Sequence, residues 1–99
     1  MITSSVVAIY KTKNFPEQTH LTPEDWTDPT ADYTNAYERS KTLAEKAAWD
    51  FKKQECPEID IVTIHPGLVV GPSLVSCQFS SGDLIKKFMM KELPAIPYV

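Results

Sequence analysis

The chain has 99 residues, of which 42% are hydrophobic and 23% are charged, a composition typical of one small globular domain. Ten basic and 13 acidic side chains give a net charge of −3, so the chain lacks the basic surplus with which nucleic-acid-binding proteins neutralise phosphates. Its apolar runs fall short of the roughly 20 residues that a membrane-spanning helix needs, and its first residues do not resemble a signal peptide. We therefore expect a cytoplasmic protein that binds neither nucleic acid nor a membrane.

The two cysteines, Cys56 and Cys77, do not form a Cys-x-x-Cys pair, and His20 and His65 are the only histidines. These side chains are too few and too widely spaced for a structural zinc site. We expect both cysteines to be reduced, buried thiols, and we expect no metal centre.

The first half of the chain predicts a strand, a loop and a helix. Met1–Tyr10 is almost continuously apolar or β-branched, which is typical of a strand buried on both faces of a parallel sheet. Residues 15–32 contain five acids, three prolines and no Lys or Arg, which indicates a loop. Asn35–Gln54 predicts a helix, because Asn35 and Glu38 have the spacing of a capping box. The residues predicted to face the sheet are Ala36, Leu43, Ala44, Ala47, Ala48 and Phe51.

The second half of the chain predicts a strand over Ile59–Ile64 and a helix over Ser81–Met90. A strand, a helix and a second strand form a βαβ unit, whose strands are parallel, so the fold class is α/β. Two strands alone leave open edges and an uncovered sheet face. We therefore expect residues 1–99 to be an internal piece of a larger doubly wound domain, incomplete at both ends.

Candidate site residues follow both strands and begin the helix. Tyr37 and Lys41 are four residues apart, which places them on one face of the helix. Ser5 ends the first strand, and ligands bind at the carboxyl ends of parallel strands. A phenol, an ammonium group and a hydroxyl suit carbonyl reduction, with Tyr37 as proton donor, Lys41 favouring its phenolate and Ser5 bonding the carbonyl. The hydride must then come from a nicotinamide cofactor. His65 is interpreted as a strand-end residue rather than a base.

Three stretches, Thr3-Ser4-Ser5, Tyr37-Glu38-Arg39-Ser40-Lys41 and His65-Pro66-Gly67-Leu68-Val69-Val70-Gly71-Pro72, together resemble a known family. It is the extended short-chain dehydrogenase/reductases (the NAD-dependent epimerase/dehydratase family), and within it the dihydroflavonol reductase and cinnamoyl-CoA reductase-like branch. The resemblance implies that residues 1–99 are the central catalytic portion of a single NAD(P)-binding Rossmann-type domain, with part of its doubly wound parallel sheet. It also implies NADP, or alternatively NAD, as cofactor and a small-molecule carbonyl compound as substrate, and it makes no prediction of oligomeric state.

The resemblance also implies a role for each matching residue. Ser5 matches the catalytic serine, with Ser4 as the alternative, and Tyr37 matches the proton donor. Lys41 matches the lysine that tunes the tyrosine and bonds the nicotinamide ribose. The remaining residues implied to contact the cofactor are Pro66, Gly67, Leu68 and Val69 beside the nicotinamide and Ser81 at the phosphates.

Two alternatives remain open at this stage. A sugar-nucleotide epimerase or dehydratase would use the same serine, tyrosine and lysine, although Val70-Gly71-Pro72 favours the reductase branch over the Tyr-Gly-Pro of those enzymes. The chain also lacks the glycine-rich turn that binds the pyrophosphate, so a truncated fragment without activity is the other alternative. For that reason we expect the isolated 99 residues neither to bind NADP tightly nor to fold cooperatively.

Overall fold

The computed structural model describes residues 1–17, 20–74, 76 and 80–93. The elements in chain order are strand β1 (Ile2–Thr3), a 3-10 helix (Val6–Ala8), helix α1 (Ala36–Gln54), strand β2 (Thr63–Ile64) and helix α2 (Ser80–Met89). The prediction of a loop over residues 15–32 is confirmed for the residues of that range that the structure describes. Cys56 is a free, half-buried thiol, whereas the prediction for Cys77 lies outside the described residues.

The two strands pair in parallel, as the sequence predicts, with Ile2 opposite Thr63 and Thr3 opposite Ile64. The predicted lengths are wrong, because each strand has two residues instead of the ten and six expected. β1 ends early because Ser5 caps a 3-10 helix that turns the chain away from the sheet. Backbone hydrogen bonds nevertheless continue past the strands, from Ser4 N to Ile64 O at 2.8 Å and from Val6 N to Pro66 O at 3.0 Å.

Helix α1 begins and ends within one residue of the prediction, and its capping box is confirmed. The Asn35 side chain accepts from Glu38 N at 3.0 Å, and Glu38 Oε2 accepts from Asn35 N at 2.9 Å. The predicted buried face is wrong. Leu43 and Phe51 are exposed, whereas the buried residues of α1 are Glu38, Thr42 and Glu45. These polar groups can be buried because each has a hydrogen-bond partner within the unit.

Hydrogen bonds of Thr27 hold the long connection between the 3-10 helix and α1 in place. Its side chain is 1% exposed, and its hydroxyl donates to Val7 O at 2.7 Å while accepting from Lys11 N at 3.1 Å. Its backbone N–H also donates to Ala8 O at 2.9 Å. The connection is thereby tied to the segment that follows β1, from which it leads into α1.

The chain forms two compact units, Met1–Gly67 and Leu68–Val99. In the second unit, α2 carries Asp83 in its first turn and lysines in its last, as the helix dipole favours. Lys91 follows α2 with φ of 57°, and Lys91 N and Glu92 N donate to Phe88 O and Lys87 O. This pair of bonds is a Schellman motif with lysine where glycine is usual.

Candidate active site

The carboxyl ends of β1 and β2 lie side by side. The parallel register and the bonds from Ser4 N and Val6 N place Ser4 and Ser5 alongside His65 and Pro66. The convergence predicted from sequence is therefore present within the first unit. This is the edge at which open α/β sheets bind ligands.

The two serines after β1 have different partners. The Ser5 hydroxyl accepts from Val7 N at 3.4 Å and caps the 3-10 helix, and the residue is buried. The Ser4 hydroxyl donates to Glu45 on α1. The different partners agree with the expectation that adjacent strand-end residues face different ways.

Tyr37 and Lys41 meet on the first turns of α1, as their spacing predicts. The Lys41 ammonium lies 5.9 Å from the centre of the Tyr37 ring, within the range of a cation–π contact. Tyr37 is 55% exposed, so its phenol is open to an incoming ligand. Lys41 also lines a small cleft of about 80 Å³ whose other walls include Ser4, Ala44 and Glu45. Lys41 and Ser4, which directly follows β1, therefore border one space, whereas Tyr37 and Ser5 are not among the residues that line it.

Glu45 is the polar centre of this region, and the sequence reasoning missed it. Its buried carboxylate accepts from Ser4, from His65 Nε2 at 2.8 Å and from Trp49 Nε1 at 3.3 Å. Burial acts to raise the pKa of Glu45, but the hydrogen bonds from Ser4, His65 and Trp49 outweigh it and the pKa is lowered. The sequence nevertheless indicated that Glu45 belongs to this region. It follows Lys41 by four residues, as Lys41 follows Tyr37, so the three residues lie along the same side of the helix.

The group of Ser4, Glu45 and His65 is not a nucleophilic triad. In such a triad the histidine lies between the serine and the acid and accepts the serine proton. Here Ser4 and His65 both bond to the same carboxylate oxygen, Glu45 Oε2. An ionised carboxylate only accepts hydrogen bonds, so His65 carries a hydrogen on Nε2 and donates a hydrogen bond from it to Glu45. The arrangement ties elements together and leaves no activated serine.

A second buried carboxylate, Glu38, stabilises the start of α1. Besides its capping bond, it accepts from Tyr10 Oη at 2.7 Å and from Lys11 Nζ at 3.0 Å. Burial acts to raise the pKa of Glu38, but the bonds from Tyr10, Asn35 and Lys11 outweigh it and the pKa is lowered. Burial, followed by the bond to Glu38, raises the pKa of the Tyr10 phenol. This cluster fixes the turn on which Tyr37 lies.

A larger cleft of about 620 Å³ lies on another side of Glu45. Its described lining includes Trp26, Trp49, Glu45 and His65 but not Tyr37 or Lys41. Size alone would favour this cleft as the reaction site, but Lys41, one member of the pair suited to proton transfer, lines the smaller cleft instead. We therefore place the candidate active site at the smaller cleft.

The remaining predicted site residues fall in two groups. Pro66 and Gly67 end the first unit, and a Cβ atom placed on Gly67 would meet nothing within 4 Å, so its backbone is open to approach. Leu68, Val69 and Ser81 belong to the second unit, where the Ser81 hydroxyl accepts from Val69 N at 3.4 Å. The roles assigned to these residues remain predictions.

The described part of the chain contains neither a metal-binding cluster nor a membrane-spanning helix. Residues 1–17, 20–74, 76 and 80–93 contain no group of three or more His, Cys, Asp or Glu side chains that could hold a metal ion. Neither α1 nor α2 has the combination of length and apolar character that crossing a membrane requires.

Comparison with known proteins identifies the family. The sequence model of an NAD-binding domain family described as male sterility protein matches residues 1–93, so the chain belongs to this family. The matches to named reductases place it in the reductase branch of the extended short-chain dehydrogenase/reductases, as the sequence predicts. The family is NAD-binding and Rossmann-like, and a parallel strand pair with helices is compatible with part of that α/β fold.

Three relatives show the range of this similarity. Cinnamoyl-CoA reductase 1 of Petunia hybrida is 37% identical over 91 residues, covering 90% of this chain and 27% of its own length. An anthocyanidin reductase of Vitis vinifera is 40% identical over 83 residues, which are 77% and 23% of the two chains. A ketoreductase of Aspergillus niger is 37% identical over 75 residues, which are 73% and 22%. The chain spans about a quarter of the length of the curated relatives it matches. No solved structure matches it.

Proposed function

We propose that this chain carries the catalytic residues of an NADP-dependent reductase, a cytoplasmic enzyme that converts a ketone or aldehyde of a small organic molecule to an alcohol. The observation that carries the proposal is the Tyr37–Lys41 pair, in which the ammonium lies 5.9 Å from the ring centre and Lys41 lines a cleft beside the carboxyl end of a parallel strand. The relatives named as reductases support this reaction over the epimerase or dehydratase alternative.

In this mechanism the chain's own residues bind the carbonyl and supply a proton. The Ser5 hydroxyl hydrogen-bonds the substrate oxygen, and Tyr37 Oη donates a proton to that oxygen as it becomes an alkoxide. The positive charge of Lys41 favours the phenolate that remains on Tyr37. The exposed Tyr37 phenolate then takes up a proton from solvent and becomes the phenol again, which completes the acid–base cycle.

The cofactor supplies hydride to the carbonyl carbon when it is bound. The residues proposed to hold it are Tyr37, Lys41, Pro66, Gly67, Leu68, Val69 and Ser81. Two observations in the first unit support the part of this assignment that lies there: Lys41 lines the cleft, and the backbone at Gly67 is open to a flat ring. NADP is proposed over NAD from the resemblance to the reductase branch.

The test compares two tyrosine variants of the protein expressed from its complete reading frame. Tyr37→Phe removes only the transferable proton, so turnover should fall by about 10² or more while cofactor affinity stays within a few-fold. Lys41→Ala should lower both quantities. Tyr33→Phe is the matched control, because Tyr33 Oη donates to Thr12 O at 3.0 Å, away from the proposed reaction. Near-normal turnover of Tyr37→Phe would overturn the assignment of Tyr37 as acid.

A further inference from the structure

Glu45 joins the three elements that carry the proposed active site. It lies on α1, one turn after Lys41, and its carboxylate bonds to Ser4 directly after β1 and to His65 directly after β2. A single buried side chain thus connects the helix to both strand ends. Of its three hydrogen-bond donors, Trp49 alone belongs to the same element.

Each residue bonded across elements is next to a proposed site residue. Ser4 precedes Ser5, which is assigned to the substrate oxygen, and His65 precedes Pro66, which is assigned to the nicotinamide face. A shift of either strand end relative to α1 would therefore change the distance from Tyr37 and Lys41 to the substrate and the cofactor. Misplacement by about 1 Å can cost on the order of 10²-fold in rate.

We propose that Glu45 is a positioning residue, which sets the spacing between the Tyr37–Lys41 pair and the two strand ends through its bonds to Ser4 and His65. This proposal rests on the proposed reductase function. In this role Glu45 acts through its bonds to Ser4 and His65 and not through the substrate or the cofactor. Its burial at 4% exposure keeps water from competing for its bonds, and its lowered pKa keeps it an acceptor at neutral pH.

The decisive variant is Glu45→Gln, which has nearly the same shape. A glutamine side chain is uncharged and offers one carbonyl oxygen in place of two carboxylate oxygens, so it cannot accept from Trp49 on one side and from Ser4 and His65 on the other. If its oxygen faces Ser4 and His65, both bonds between elements still weaken, because a neutral acceptor lacks the charge that strengthens them in the wild type. We expect kcat to fall by about 10- to 100-fold, while the dissociation constant of NADPH changes by less than about threefold. The deuterium isotope effect with [4,4-²H₂]NADPH should also increase, since misaligned hydride transfer becomes rate-limiting.

Trp49→Phe is the matched control. It removes the bond to Glu45 Oε1 within α1 and leaves both bonds to Oε2, so kcat and the isotope effect should stay within about twofold of the wild type. If Glu45→Gln does not fold, Ser4→Ala and His65→Phe each remove one of the two bonds between elements. Each should lower kcat by about threefold to tenfold, and the double variant should cost less than the product of the two.

The outcomes separate this proposal from the function on which it rests. Unchanged kcat and isotope effect in Glu45→Gln, with Tyr37→Phe inactive, would overturn the positioning role and leave the reductase function standing. Full activity of Tyr37→Phe would overturn the function instead. In that event a crystal structure of Glu45→Gln decides the positioning role, which requires the strand ends to shift relative to Lys41 and is overturned if they do not.

Discussion

The cap of α1 controls the turn that carries Tyr37, and replacing Asn35 by alanine isolates its contribution. In the capping box, Asn35 Oδ1 accepts from Glu38 N at 3.0 Å and Glu38 Oε2 accepts from Asn35 N at 2.9 Å. Asn35→Ala removes the first bond and keeps the second, because alanine retains its backbone N–H. The variant therefore tests one hydrogen bond at the start of the helix.

The expected loss of stability in Asn35→Ala depends on which capping bonds remain. Loss of an N-cap side chain costs about 0.5–2 kcal/mol. The Glu38 carboxylate stays in place through Tyr10 and Lys11, so the reciprocal bond survives and we expect about 1 kcal/mol. That energy corresponds to roughly a fivefold increase in opening of the first helical turn.

Amide hydrogen exchange measures this opening directly. The Arg39 amide, which donates to Asn35 O at 3.0 Å, should exchange about fivefold faster in Asn35→Ala, while the Trp49 amide in the middle of α1 should not change. Asn35→Asp keeps a capping oxygen and should retain the wild-type rate. Unchanged exchange at Arg39, or equal acceleration at Trp49, would refute this account of the cap.

Three further predictions concern the strand end, helix α2 and acid stability. Ser5→Ala should lower turnover on the order of 10², more than Ser4→Ala, and equal small effects in steady-state assays would contradict the assignment. Lys91→Gly should raise the thermal stability of α2, because glycine adopts the observed φ of 57° without steric cost. Circular dichroism measures the change, and a loss of stability would contradict the Schellman geometry. The pKa of the Glu38 carboxyl is lowered from 4.5, so the stabilisation that the ionised carboxylate provides is complete above the unfolded-state pKa and is lost as the pH falls through the folded-state pKa. Glu38→Gln should therefore reduce the loss of helicity between about pH 5 and 3. An acid transition that is the same in the variant and the wild type would contradict this prediction.

Local sequence patterns predicted the elements that depend on neighbouring residues. The capping box and the length of α1 follow from residues within one helical turn of each other, and the parallel strand pair follows from the order of the elements. The meeting of Tyr37 and Lys41 depends only on helix geometry. These features could be predicted because few long-range contacts decide them.

The buried face of α1 could not be predicted in the same way. Hydrophobic periodicity favoured Leu43 and Phe51, whereas the structure buries Glu38 and Glu45. Their burial depends on donors far along the chain, such as Ser4, 41 residues before Glu45. A pattern read along one helix does not contain those donors, and for the same reason the bond from His65 to Glu45 was missed.

Deuterium transfer tests the central claim most directly. The protein expressed from its complete reading frame is incubated with [4,4-²H₂]NADPH and a panel of aromatic and aliphatic ketones and aldehydes, and the products are examined by mass spectrometry and NMR. The account predicts an alcohol with one deuterium on the former carbonyl carbon, formed by the wild type and not by Tyr37→Phe. An alcohol without deuterium, or no oxidation of NADPH with any carbonyl of the panel, would contradict it.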